Sequence, residues 1–449
     1  MTPVSLRLAW PLDGDQTPAV VYAVLVGPDG SASRTLLLPA GGTAWHTHLL
    51  QPGAYTLSIG LPSGQEVVEE IQVGKEPIRV EVCAPAAAHE HLSWAHLLGA
   101  FGDDLSDDAL DASRRCADLP TLARGSRVAE AARRGELAYG LYGIRGYGER
   151  ADFVPIESGR SVRLTCGGLE PVDYRVQLGA DEENVLVRFE PVAAADDAPA
   201  LVGRPVLMIR GVPGVDPWLV SLPLPWMSTI GRNDRAGRLD VLVHQPLRGG
   251  DVDRPRLAVV LRDPMLGPLL GYLRRCRFTA VQTIGRRFLR SAAALVITGR
   301  RNPFAEAIAG YVGLVTADAP LLRSWLFELA RSFAWLPDAG VLAGWCRLHG
   351  IAAGGLQGAP DVNEARRLFL AVERQGPPVL TGVLGVLVDG LKRCLIAAEA
   401  RGDEDDEVRS ALMRVRGVAR VCDDQQPFTV LRSATPLCGV GEESPWRTG

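Results

Sequence analysis

The chain has 449 residues, 47% of them hydrophobic and 22% charged, with a formal net charge of -4; at roughly 150 residues per domain this is length for about three domains. The balance excludes the low hydrophobicity and high charge of a disordered chain, and it lacks the basicity of a protein whose affinity rests on phosphate contacts. Lys75 and Lys392 are the only lysines, so nearly every cation is an arginine, a planar fork suited to bidentate pairing that keeps its proton.

Residues 1–83 alternate in short runs: Val4–Trp10, Ala19–Val26, Arg34–Leu38, Trp45–Leu50, Tyr55–Leu61, Glu66–Val73 and Ile78–Val82. Separated by Pro28-Asp29-Gly30, Pro52-Gly53 and Pro62-Ser63-Gly64, they have the spacing of an antiparallel β-sandwich. Leu50-Gln-Pro-Gly-Ala-Tyr-Thr-Leu57 resembles the strand entry of transthyretin-like and carboxypeptidase-regulatory-like sandwiches, modules that bind or brace.

Residues 84–150 change character. An acidic run (Asp103, Asp104, Asp107, Asp108, Asp111) leads into Arg114, Arg115, Arg124, Arg127, Arg133 and Arg134. A helix is expected over 126–138, because Val128, Ala131, Ala132 and Leu137 share a stripe. Gly140, Gly143, Gly146 and Gly148 follow, and glycine makes regular structure costly. The stretch therefore reads as a connector with partial helix and a mobile Gly-rich end.

Residues 151–262 return to strand patterning and read as a second β-rich domain. After Pro264 the hydrophobic period becomes about 3.6, and 263–435 is expected to be an α-helical domain. Asn302-Pro303 and Asp338 look like helix starts, since Asn and Asp side chains cap free amides. Residues 436–449 are polar and read as a disordered tail. The predicted fold class is thus multidomain β plus α, with a sandwich, a second β-rich domain and a helical domain.

Several constellations of residues could carry chemistry. His46-Thr-His48 and His89-Glu-His91 place two imidazoles on one side of a strand, but H-E-H has the wrong spacing for a metalloprotease helix, and no cysteine lies near to complete a zinc site. We read them as surface histidines and expect no metal. There is no G-x-S-x-G elbow; Cys346 and His349 share a helix face, yet Trp345-Cys346 reads as core, so no catalytic residue is assigned. Gly140-Leu-Tyr-Gly143 and Gly146-Tyr-Gly148 lack a phosphate-loop ending, and no cofactor is expected. Tyr311, Trp325, Phe327, Phe333, Trp335 and Trp345 recur at helical spacing and read as core. Asp403–Glu407 reads as a solvated acidic linker.

Arg274, Arg275, Arg277, Arg286, Arg287, Arg290, Arg300 and Arg301 form a basic stretch. Arg286, Arg287 and Arg290 make one helical stripe that could face an acidic partner. With only Phe278 and Phe288 interleaved, nucleic acid is not expected to bind. Eight scattered cysteines without a C-x-x-C pair, and an N-terminus without signal-peptide character, place the chain in the cytoplasm with reduced thiols; no apolar run is long enough to span a membrane.

Arg301-Asn-Pro-Phe-Ala-Glu-Ala-Ile-Ala-Gly-Tyr311 and Trp325-Leu-Phe-Glu-Leu-Ala-Arg-Ser-Phe-Ala-Trp-Leu-Pro-Asp338 resemble poorly characterised bacterial proteins encoded beside caspase-like (CHAT-type) peptidases, some in antiphage or CRISPR-associated defence neighbourhoods. The resemblance brings no catalytic residues and implies a non-enzymatic substrate, regulator or inhibitor in a proteolytic signalling system. Such proteases prefer a basic residue before the cut, so Arg115, Arg134 and Arg145 are the expected cleavage positions, in a connector whose severing would release the first sandwich. The alternative is a scaffold or inhibitor that sequesters a protease or transcription regulator through its helical domain.

Overall fold

Strict alternation along Thr2–Ala9 makes β1, whose even-numbered residues Val4, Leu6 and Leu8 are fully buried while the odd ones face outward. A computed structural model places this strand and describes residues 1–9, 19–27, 33–40, 45–61, 66–83, 131–132, 134–145, 152–180, 184–195, 197–211, 216–227, 237–244, 256–261, 263, 266–274, 279–285, 302–316, 325–351, 358–424 and 426–432. They fall into two compact units, Met1–Leu122 with Val260–Arg290, and Ala123–Val259 with Ser291–Gly449.

In the first unit β2 (Ala19–Val26), β3 (Ser33–Ala40), β4 (His46–Leu50), β5 (Gly53–Gly60), β6 (Glu66–Val73) and β7 (Ile78–Cys83) join β1. Their order is β4-β1-β3-β2-β5-β6, and β7 pairs parallel with β1. Because alternate residues of each strand point one way, Val4, Leu6, Val21, Ala23, Leu38, Leu57, Ile59 and Val82 close into one core. The helix α1 (Leu266–Arg274) belongs to the same unit and packs on β2. Its first turn is capped by Asp263, whose Oδ1 accepts from the Leu266 amide at 3.1 Å. Residues 279–285 are also helical.

The second unit holds two sheets. Strands β10 (Ser161–Thr165), β11 (Val172–Ala180), β12 (Asn184–Val192), β13 (Ala200–Val202), β16 (Leu239–His244) and β17 (Arg256–Leu261) run in the order β13-β10-β11-β12-β16-β17, the chain passing to the first unit within β17. The other sheet, β18-β15-β14-β8-β9, is built from β8 (Ala138–Ile144), β9 (Asp152–Pro155), β14 (Arg204–Arg210), β15 (Trp218–Ser221) and β18 (Val430–Leu431). Helices α2 (Pro303–Val315), α3 (Trp325–Ser332), α4 (Pro337–Leu348), α5 (Val362–Glu373), α6 (Thr381–Glu399) and α7 (Asp406–Val421) lie between β17 and β18 in the chain. The β plus α architecture expected from the sequence is therefore present, with the helices and the second β region sharing one compact unit. No helix among the described residues is long and apolar enough to cross a membrane.

The expectation for the Gly-rich stretch is overturned. Gly140 and Gly143, read as part of the mobile end of a connector, lie in β8, paired on one side with β14 and on the other with β9, while Gly146 and Gly148 lie outside the described residues. Its glycines serve close approach: a Cβ at Gly143 would meet the Val202 carbonyl, and one at Gly140 would meet the Phe153 ring.

Candidate functional site

The second unit joins its sheets to its helices through polar contacts, the Arg204 bond among them buried. Arg204, almost wholly buried at the start of β14, donates from Nη1 to the Pro377 carbonyl just before α6. Asn302 caps α2 as its sequence suggested, its Oδ1 accepting from the Ala305 amide at 3.0 Å, while its Nδ2 donates to the Met227 carbonyl at 2.6 Å. Trp335 Nε1 donates to the Gly167 carbonyl at 2.6 Å. Asp338 departs from expectation. It lies in the first turn of α4, but its side chain reaches the backbone just ahead of α6, accepting from the Val379 and Leu380 amides at 2.7 and 2.9 Å. Burial raises its pKa above the ordinary carboxylate value, against the pull of those amides and of Arg204. The group is committed to architecture.

The nucleophile candidates are committed too. Burial pushes the Cys166 and Cys346 thiols up to about 12, and thiolate is the reactive form. His349 does not serve Cys346: its Nδ1 lies 3.0 Å from the Trp345 carbonyl, and its ring stands 4.7 Å from the Trp345 ring. His46 and His48 do share a side of β4, opposite Leu6 and Val4 of β1, with ring centroids 6.4 Å apart. Burial, then His46 and Arg34, lower the His48 pKa. Among the described residues no group of three or more His, Cys, Asp or Glu side chains could hold a metal. His89 and His91 lie outside the described residues.

What α4 does present is a pair of arginine–aromatic stacks. The Arg393 guanidinium of α6 lies 4.9 Å from the Trp345 ring centre, with His349 tilted against the same indole. Arg347 lies 4.5 Å from the Phe327 ring centre of α3. Trp345, expected in the core, is only half-buried, and Arg393 and His349 are exposed. Among the described residues no ion pair engages Arg393. A guanidinium held over an indole by this attraction can still donate its N–H groups to a carboxylate. Such Arg and Trp groups are the residues that dominate protein interfaces. The sequence carried half of this signal, the Trp345–His349 spacing of one helical turn; Arg393 comes from another helix and could not be paired with it by spacing.

Other arginines are spent internally. Arg366 of α5 grips Asp405 with both forks, at 2.6 and 2.9 Å, and reaches Glu407 at 2.9 Å. Arg374 meets the same Glu407 at 2.8 Å. The acidic run 403–407, expected to be a solvated linker, thus ties the start of α7 to α5. Of the expected cleavage positions, Arg134 pairs with Glu136 at 2.9 Å and Arg145 with Asp152 at 2.6 Å, flanking β8 with exposed side chains. Arg115 lies outside the described residues, as do Arg286, Arg287 and Arg290, expected to bind a partner.

Residues 268–443 match the family model described as the Y4kD C-terminal domain. The stretch carries the α4 stacks and most of the helices, and it is this part of the chain that is similar to that poorly characterised family. No curated protein and no solved structure matches the chain.

Proposed function

We propose that the chain is a non-enzymatic regulatory protein that binds an acidic surface of a partner protein through the arginine–aromatic stacks of α4. The observation that carries this reading is the contact of the exposed Arg393 with the Trp345 ring, beside the exposed His349. The commitment of Asp338 to backbone amides, and of Cys166 and Cys346 to the interior, supports a binding role over a catalytic one. The partner implied by the resemblance is a caspase-like protease, or another protein of the same bacterial defence system, met in the cytoplasm. Titration of such a protease against the purified chain tests the reading. Binding is expected to weaken at least tenfold in Arg393→Glu while the circular dichroism stays unchanged, since each lost ion-pair hydrogen bond at an interface is worth about 1.5–3 kcal/mol. Equal affinity in the two proteins would overturn it.

A second reading, that the protease also cuts the chain, is favoured by the exposed side chains of Arg134 and Arg145. Its test is the fragment pattern: cleavage by the same protease should shift when Arg115, Arg134 and Arg145 are replaced by Gln. An unaltered pattern would remove all three as cut sites.

A further inference from the structure

Severing the chain between its first sheet and the second unit was expected to set that sheet free. The contacts of α1 argue otherwise. Tyr22 of β2 and Gly60 of β5 are register partners at the last rung of the β2–β5 ladder. The Tyr272 hydroxyl stands between them, accepting from the Tyr22 amide at 3.1 Å and donating to the Gly60 carbonyl. A side chain from a helix more than two hundred residues away thus fills a ladder position, satisfying a backbone donor and an acceptor at a half-buried end of the ladder. The phenol is almost wholly buried, as are Leu266 and Leu269 of α1 and Val281 and Ile284 of the following helical turn. These residues, although distant in sequence, belong to the same compact unit as the sheet.

We infer that α1 and the helical residues 279–285 form a strap that holds the N-terminal sheet after the chain has been cut anywhere in 84–130. The strap remains covalently part of the C-terminal piece, so such a cut yields a nicked, associated protein instead of a released module. Separation then requires a second event that loosens α1. This inference does not depend on which protease acts, or on the partner proposed for α4.

The test uses the full chain carrying a site-specific protease sequence, flanked by Gly and Ser, inserted between Asp107 and Asp108, with cutting followed to completion on a denaturing gel. Under native conditions the two pieces are expected to co-elute at the size of the intact protein. Tyr272→Phe keeps the ring and removes the bridging hydroxyl; its pieces are expected to separate at a roughly tenfold higher concentration than those of the parent, the worth of one or two net hydrogen bonds. In the uncut chain the same variant should speed hydrogen exchange at the Tyr22 amide, a readout that survives even if the more drastic Leu269→Asp fails to fold. Separation of the parent pieces on cutting would overturn the inference. So would co-elution and Tyr22 exchange left unchanged by Tyr272→Phe.

Discussion

Asp338, in the first turn of α4, accepts a 2.9 Å hydrogen bond from the backbone amide of Leu380, the residue that opens α6. The carboxylate holds the backbone that leads into a neighbouring helix, and does so without any exposure to solvent. Removing it by Asp338→Ala strands the Val379 and Leu380 amides in the interior, and a loss of about 3 kcal/mol is expected, read as a lower denaturation midpoint at unchanged slope. Asp338→Asn keeps an acceptor and should cost less. The two variants also differ from the parent in pH response. Because the folded pKa lies above 3.8, the folded state holds this proton more tightly than the unfolded one, so the group's contribution falls as pH rises from 3.8 toward the folded value. Asp338→Asn should abolish that part of the slope; a parental slope in the variant would contradict the assignment.

Asp405 responds in the opposite sense. Its hydrogen bonds with Arg366 hold its pKa below 3.8, so its contribution is complete above that value and is lost as pH falls through the folded pKa. Acidification should therefore loosen the start of α7 from α5 first. Hydrogen exchange at the Val408 amide, which Asp405 caps at 3.2 Å, reports this directly. In Arg366→Gln the acid-induced rise in exchange should begin at higher pH than in the parent.

Gly143→Ala tests whether β8 is the strand described. With the Val202 carbonyl against the position of a Cβ, the sheet must shift, and a destabilisation of about 1–3 kcal/mol is expected. A neutral result in thermal melting would mean that the Gly-rich run is not closely packed there.

Alkylation separates the thiols. Cys83 is exposed, whereas Cys166 and Cys346 are buried, with burial pushing both thiols up to about 12. Brief iodoacetamide treatment of the native protein at pH 8 should label Cys83 well ahead of the other two, as read by peptide mass spectrometry. Early labelling of Cys346 would reopen a nucleophilic role for it.

Much of the fold was legible because one-sided burial writes itself into spacing. The alternation of Val4, Leu6 and Leu8 requires a strand with one dry face, and the Asn302-Pro303 start of α2 is a local rule obeyed locally. What was illegible is set by partners remote in the chain. The glycines of β8 signal a turn by propensity, and only the approach of Val202 and Phe153 explains them in a strand. Asp338 carries the sign of a helix start, but its amides lie some forty residues on, ahead of another helix. Trp345 reads as core by periodicity, and its partial exposure depends on where Arg393 falls on α6. The arginine–carboxylate ties from Arg366 to Asp405 follow the same logic, since neither residue's neighbours in sequence point to the other.

The pairing of β18 with β15 sets a timetable for synthesis. Val430 and Leu431 register against Val220 and Leu219, strands separated by about two hundred residues of chain, the kind of non-local closure that folds late. Until Leu431 has left the ribosome, which at roughly 5–20 residues per second is some ten to forty seconds after β15, the flank of β15 is an open edge able to pair with another chain. The second unit therefore completes itself only after all of its helices have been made, and a transcript or reading frame broken within them would yield a protein with a bare β edge, prone to aggregate, in place of a smaller working one.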